Sequence, residues 1–178
     1  MRTSEQPSLS LAEWLVLCLV REGTTHGFAV AALAGPDGDL GRVWRLPRPV
    51  VYRALGRLRD AGLITESGVE HSTYGPARTL VEATPDGSAA ARRWLTRPVA
   101  HVRDVRSELL VKLALLDRAG IDPAGLLAEQ RRTVEPIVAA LRDARDQARD
   151  FDRTLAAWRY ETAVATLAFL DEMIATTH

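Results

Sequence analysis

Residues 46–64 read LPRPVVYRALGRLRDAGLI, and their pattern decides how the rest of the chain is read. Val51, Leu55 and Leu58 recur at i, i+4 and i+7, so they make one buried stripe on a short helix. Tyr52, Arg53 and Arg57 then point elsewhere, with Arg48 and Arg59 at the two ends. Pro49 stands near the first turn, where a missing amide costs little. Gly62 suits the left-handed conformation that stops a helix, and Leu63 and Ile64 open an extended segment. A helix with an apolar back and an Arg/Tyr front, running straight into a strand, has the form in which a winged helix-turn-helix meets a DNA groove.

The segments on either side fit that reading. Downstream, short strands are expected at 64–66 and 78–82, joined by the polar loop 68–77, which has the length and chemistry of a wing. Thr84-Pro-Asp-Gly87 then caps a helix reaching Trp94 and Leu95. Upstream, Ser10-Leu-Ala-Glu13 is a capping box, in which the hydroxyl and the carboxylate cover open amides at a helix start. That first helix runs to about Glu22, and apolar residues nearly encircle it over 14–20. One side is expected on its own domain, and the other against the C-terminal helices or a second subunit. Thr25 opens a second helix through Ala34, and Gly35-Pro-Asp-Gly38 is a turn.

Pro98 places a boundary, so the expected domains are 1–98 and 99–178, the second wholly helical. One helix is expected over 104–117, closed by Gly120. A long one follows, with Asp122 as N-cap and Pro123 at its first position. Its heptads place Leu127, Val134, Leu141 and Ala148 at one position and Gln130, Ile137, Ala144 and Phe151 at the other. Pro136 should bend or break it. A last helix over 153–175 carries Leu155, Trp158, Thr162, Ala165 and Phe169 on one seam. Tyr160, Val164, Leu167 and Ile174 form a second. One seam can pair within the chain and the other across a dimer. The fold class is therefore mainly α with a small β-wing: an N-terminal winged helix-turn-helix and a C-terminal helical dimerisation domain.

Net charge is zero over 178 residues, but it is unevenly spread. Residues 41–60 hold six arginines against Asp60 alone, whereas 99–178 carry a net charge of −2. The single cysteine, Cys18, lies in an apolar run and reads as a core residue, and no Cys/His set has metal-ligand spacing. Arg2 followed by polar residues and Pro7 is not a signal peptide, and the longest apolar run is far short of a membrane span. A cytoplasmic protein is expected. No Gly-rich phosphate loop, nucleophile motif or metal set stands out, so no enzyme and no cofactor are expected.

His26-Gly-Phe28, Val50-Val-Tyr-Arg-Ala-Leu-Gly-Arg-Leu58, Ala61-Gly-Leu-Ile64, Gly75-Pro-Ala-Arg78 and Thr84-Pro-Asp-Gly87 occur in that order, before a helical tail. The series resembles the PadR family of transcriptional regulators over about residues 9–95; the tail matches only in length and helicity. The resemblance implies a homodimeric DNA binder, usually a repressor. It implies dimerisation through the C-terminal helices and, in some members, release of DNA when a small molecule binds. Phe28 stands where tyrosine is commoner, and Ala83 where a larger apolar residue is typical. Pro47 and Pro49 replace small or polar residues, and proline has no amide hydrogen to give a phosphate.

The candidate DNA contacts are Arg48, Tyr52, Arg53 and Arg57 on the helix, with His71, Ser72, Thr73, Tyr74 and Arg78 on the wing. Without the wing, Arg53 and Arg57 would read as a solvated face. Trp14, Trp158 and Tyr160 are candidates for an apolar or aromatic effector site at the dimer core, or else ordinary seam aromatics. His26 reads as holding a turn, and the alternating charges of 142–150 as a solvated helix face. The expected partners are an inverted-repeat DNA operator and a second copy of the chain. The competing reading is a winged-helix protein-interaction module without DNA binding, which would expose more apolar surface where the arginines cluster.

Overall fold

The computed structural model describes residues 8–72 and 75–176, with the backbone alone at Ser72 and Gly75. Packing divides the chain into two units, Met1–Leu95 and Thr96–His178.

The first unit runs α1 (Leu11–Arg21), β1 (Thr25–His26), α2 (Gly27–Leu33), α3 (Arg48–Asp60), β2 (Ile64–Ser72), β3 (Gly75–Ala83) and α4 (Pro85–Thr96). The antiparallel sheet has the order β1-β3-β2. Three helices, a strand slotted in after the first, and a two-stranded wing make a winged helix-turn-helix. The capping box at α1 is complete. The Ser10 amide donates to Glu13 Oε2 at 2.7 Å and the Glu13 amide to Ser10 Oγ at 3.3 Å. Residues 14–20 are all buried, and Trp14 stacks nearly parallel on Trp94 with ring centres 5.3 Å apart. Helix α1 therefore leaves none of residues 14–20 open for a second subunit, the second of the two covers expected for its other side. Cys18 lies in this core. Each fully buried leucine or valine here contributes about 1.5–3 kcal/mol.

Strand β1 was not anticipated. Thr25 and His26 pair with Val81 and Leu80, so α2 starts at Gly27 rather than at Thr25. His26 holds that start, its Nδ1 accepting from the Ala29 amide at 3.1 Å.

The second unit begins with a 3-10 turn, Val102–Asp104, and a π-turn, Val105–Leu109, before α5 (Leu110–Arg118). The single helix expected over 104–117 is thus three windings. A polar clamp that periodicity cannot reveal lies here. Lys112 is buried, and its ammonium donates to Glu108 Oε1 and to the Arg97 carbonyl, both at 2.7 Å. Helices α6 (Ala124–Gln147) and α7 (Asp150–Thr176) fold back on each other. Asp122 stands one place outside the expected cap: Pro123 is the N-cap, and Asp122 Oδ1 accepts from the Ala124 amide at 2.9 Å. Pro136 does not break α6, because it lies on the exposed face, where the bond it cannot make costs least.

The buried residues of α6 are Leu126, Leu127, Gln130, Val134 and Val138. The expected heptads fail beyond that point: the helix ends at Gln147, Ala148 is extended, and Asp150 takes φ 50° before α7 begins. Phe151 consequently falls on α7 and is 76% exposed. Gln130 sits fully buried, with its amide bonded to both the N–H and the carbonyl of Val99. On α7 the buried residues are Ala163 and Leu170, which neither expected seam contained, with Tyr160, Leu167 and Ile174 half-buried on the same face. The other seam is partly open: Trp158 is 70% exposed and Leu155 and Ala165 are exposed, while Thr162 and Phe169 are half-buried. Arg131 ties α6 to α7 through Asp171 at 2.6 Å, whose hydrogen bond and charge raise the guanidinium above its ordinary pKa. No helix among the described residues is long and apolar enough to cross a membrane.

Candidate nucleic-acid interface

The interface is built around α3, and its two ends are set by different chemistry. At the start, Pro47 is the cap and Pro49 lies in the first turn; the Val50 amide donates to the Pro47 carbonyl at 2.9 Å. The first turn therefore offers few amides to an anion, and side chains must supply the donors. At the end, Gly62 takes φ 68°. The Leu63 amide reaches back to the Leu58 carbonyl at 2.9 Å and the Gly62 amide to Arg59, which is a complete Schellman motif. Thr84 Oγ1 then donates to the Gly62 carbonyl at 2.9 Å and accepts from the Gly87 amide at 3.0 Å. A Cβ on Gly87 would lie 1.9 Å from the Leu63 carbonyl oxygen. The pairing of Ala-Gly-Leu-Ile with Thr-Pro-Asp-Gly is thus one packed joint between α3, the wing and α4.

The buried stripe of α3 is Val51, Ala54 and Leu58, at i, i+3 and i+7. Leu55 is half-buried, which corrects the expected stripe. The methyl of Ala54 lets α1 and α3 approach closely, whereas Leu55 lines a cleft on the outer side. That cleft, of about 780 Å³, lies between the starts of α2 and α3 and the wing. Phe28, Arg48, Tyr52, Leu55, Arg59 and Arg78 are among its walls. Gly27 gives Tyr52 its place, since a Cβ there would come within 2.7 Å of the ring.

The arginines differ in what holds them. Arg53 is exposed and makes no ion pair or hydrogen bond among the described residues. Tyr52 beside it is 51% exposed. Arg48 has its guanidinium carbon 4.6 Å from the Phe28 ring centre. Arg57, expected alongside Arg53 as a DNA contact, pairs its Nε with Glu13 Oε1 at 3.0 Å while its side chain stays 66% exposed. Glu13, in the first turn of α1, is buried, and a cation beside it offsets the cost of burying its charge, a demand that the periodicity of α3 does not contain. Arg59 Nη1 meets Glu66 Oε1 on the wing at 2.6 Å.

The wing is longer in strand than the sequence indicates. Residues expected as loop pair across the hairpin, with Val69 opposite Thr79 and Glu70 opposite Arg78. Opposite charges placed directly across a ladder support residues of poor strand propensity. Arg78 lies within β3, inside the strand expected over 78–82, 5.3 Å from the Phe28 ring centre and 3.8 Å from Glu70 Oε2. Its Nη1 is 3.4 Å from His26 Nε2. His71 is exposed in β2, and Ser72 pairs with Gly75 through the backbone. Thr73 and Tyr74 lie outside the described residues.

The three effector candidates differ in their surroundings. Trp14 is only 6% exposed, with its face covered by Trp94. Tyr160 lies beneath the Arg145 guanidinium at 4.3 Å, while Trp158 points outward. Sequence reasoning missed Phe28, Arg59 and Glu66 as parts of the cleft. The signal for Phe28 was present in His26-Gly-Phe28, next to a turn.

No family model and no curated protein matches the sequence. Among solved structures, the chain is similar to Bacillus subtilis PadR in complex with operator DNA, at 18% identity and TM-score 0.48, over 95% of this chain and 100% of that one. It is similar to the same protein in complex with p-coumaric acid at 19% identity and TM-score 0.44, over 94% and 99%. A PadR-like transcriptional regulator of Bacillus cereus aligns at 16% identity and TM-score 0.40, over 93% and 97%.

Proposed function

We propose that this chain is a non-catalytic, sequence-specific DNA-binding transcriptional regulator of PadR type, a homodimeric repressor acting in the cytoplasm. The observation that carries the reading is Arg53 with Tyr52. Both stand outward on the third helix of a winged helix, beside the cleft, and Arg53 has no carboxylate on its charge among the described residues. A guanidinium at that place suits the major-groove edge of guanine, and the tyrosine hydroxyl suits phosphate. The dimer is supported by α7, whose outward seam leaves Phe151, Leu155 and Trp158 open to solvent. Two wings joined this way call for an inverted-repeat operator. An aromatic or apolar effector belongs to the proposal through the resemblance, and of the three candidates Trp158 alone keeps an open ring.

The test is titration of the full chain against randomised duplexes at low salt, followed by selection of the tightest sequences. Enrichment of an inverted repeat is expected, together with a dimer in sedimentation at micromolar concentration and a monomer for Trp158→Glu. Absence of duplex binding at low salt would overturn the reading in favour of a protein-interaction module. A monomeric wild type would overturn the dimer.

A further inference from the structure

We propose that Phe28 is the positioning residue of a two-arginine phosphate clamp. Its ring holds Arg48 and Arg78 so that together they take consecutive phosphates of the one DNA strand lying in the cleft. The proposal rests on the DNA-binding reading and adds to it a residue and a path for the backbone.

Phe28 is 48% exposed, so it contributes little as a core side chain. It stands between two cations from distant parts of the sequence, one on the first residue of α3 and the other in β3. Their guanidinium carbons lie 4.6 and 5.3 Å from its centre, and are therefore no more than about 10 Å apart. A guanidinium seated on an aromatic face keeps its N–H donors directed outward in its own plane, as a phosphate requires. Two cations held on one ring bring their positive charge to a single place, which favours an anion there. Glu70 balances only Arg78, at 3.8 Å and half-exposed, and no carboxylate pairs with Arg48 among the described residues. The backbone of α3 offers little in their place, because Pro49 has no N–H and the Val50 and Val51 amides are already bonded to the Pro47 carbonyl.

Geometry supplies the strand. The cleft separates α3, which suits the major groove, from the wing. What separates the two grooves of a duplex is a single sugar-phosphate strand, whose phosphates advance about 3.4 Å of axis per nucleotide. Such a ridge, entering this cleft, meets Arg48 from the helix side and Arg78 from the wing side.

The experiment is anisotropy titration of the full chain against a non-specific duplex over a salt series, with melting as a control. The variants are Phe28→Leu, Phe28→Tyr, Arg48→Ala, Arg78→Ala and the doubles Phe28→Leu/Arg48→Ala and Phe28→Leu/Arg78→Ala. Each arginine variant should flatten the slope of log K against log salt by about 0.9. Phe28→Leu should weaken binding on every duplex by about 5- to 30-fold, Phe28→Tyr should restore it, and each arginine should matter less once the ring is gone. Phe28→Met gives the same reading if the leucine variant melts early. Wild-type affinity in Phe28→Leu, losses that simply multiply in the doubles, or a tyrosine variant as weak as leucine would overturn the clamp alone. A wild type that binds no duplex would overturn the DNA-binding reading, and the clamp with it.

Discussion

Replacing Arg57 by alanine separates a DNA contact from a structural clamp. Its Nε is 3.0 Å from a carboxylate whose side chain is only 5% exposed, while Arg57 itself is 66% exposed. Breaking a fully buried pair costs about 3–5 kcal/mol, but here solvent reaches one partner and the Ser10 amide and hydroxyl still hold Glu13. The expected loss is therefore about 1–2 kcal/mol. For a chain of this size that is a fall in melting temperature of roughly 2–8 °C. Glu13→Gln removes the charge and leaves the shape, so the double variant Glu13→Gln/Arg57→Ala should melt close to the glutamine variant alone. In DNA titrations Arg57→Ala should keep the wild-type salt slope, because its charge already belongs to Glu13. Two results would refute the reasoning. One is an unchanged melting temperature; the other is a slope flattened by about one unit, which would mean that Arg57 leaves Glu13 for a phosphate.

Arg53→Ala should cost about 1–3 kcal/mol on the selected operator and relax preference at one base pair, with melting unchanged. A uniform loss on all duplexes in the same titrations would make Arg53 a phosphate contact instead. Gly87→Ala should destabilise the chain by about 3 kcal/mol or more, since a Cβ 1.9 Å from the Leu63 oxygen forces α4 off the joint. Denaturant unfolding checks this, and a wild-type midpoint would count against the packing described.

Several features were legible because they are local. Ser10-Leu-Ala-Glu13 caps α1, Gly62 ends α3 and Thr84-Pro-Asp-Gly87 starts α4, each through atoms a few residues apart. Turn and cap chemistry of this range is written in neighbouring residues, so the helix order and the presence of a wing could be read directly. The length of the wing could not. Val69 and Glu70 look like loop residues until they face Thr79 and Arg78 across a ladder.

By itself, the sequence determined where helices start and stop, that one helix carries a basic and aromatic front, and that a hairpin follows it. Which of those arginines is paired within the chain was decided only by tertiary structure. Arg53 and Arg57 are one turn apart on the same helix and indistinguishable by period, yet α1 brings a buried carboxylate to one and nothing to the other. Likewise Ala54 rather than Leu55 faces the core, because the close approach of α1 favours a methyl there. On α7, Ala163 and Leu170, which neither expected seam contained, are buried while Trp158 faces outward. Helical period fixes which residues share a face; which face meets a partner depends on charges and volumes contributed from far along the chain.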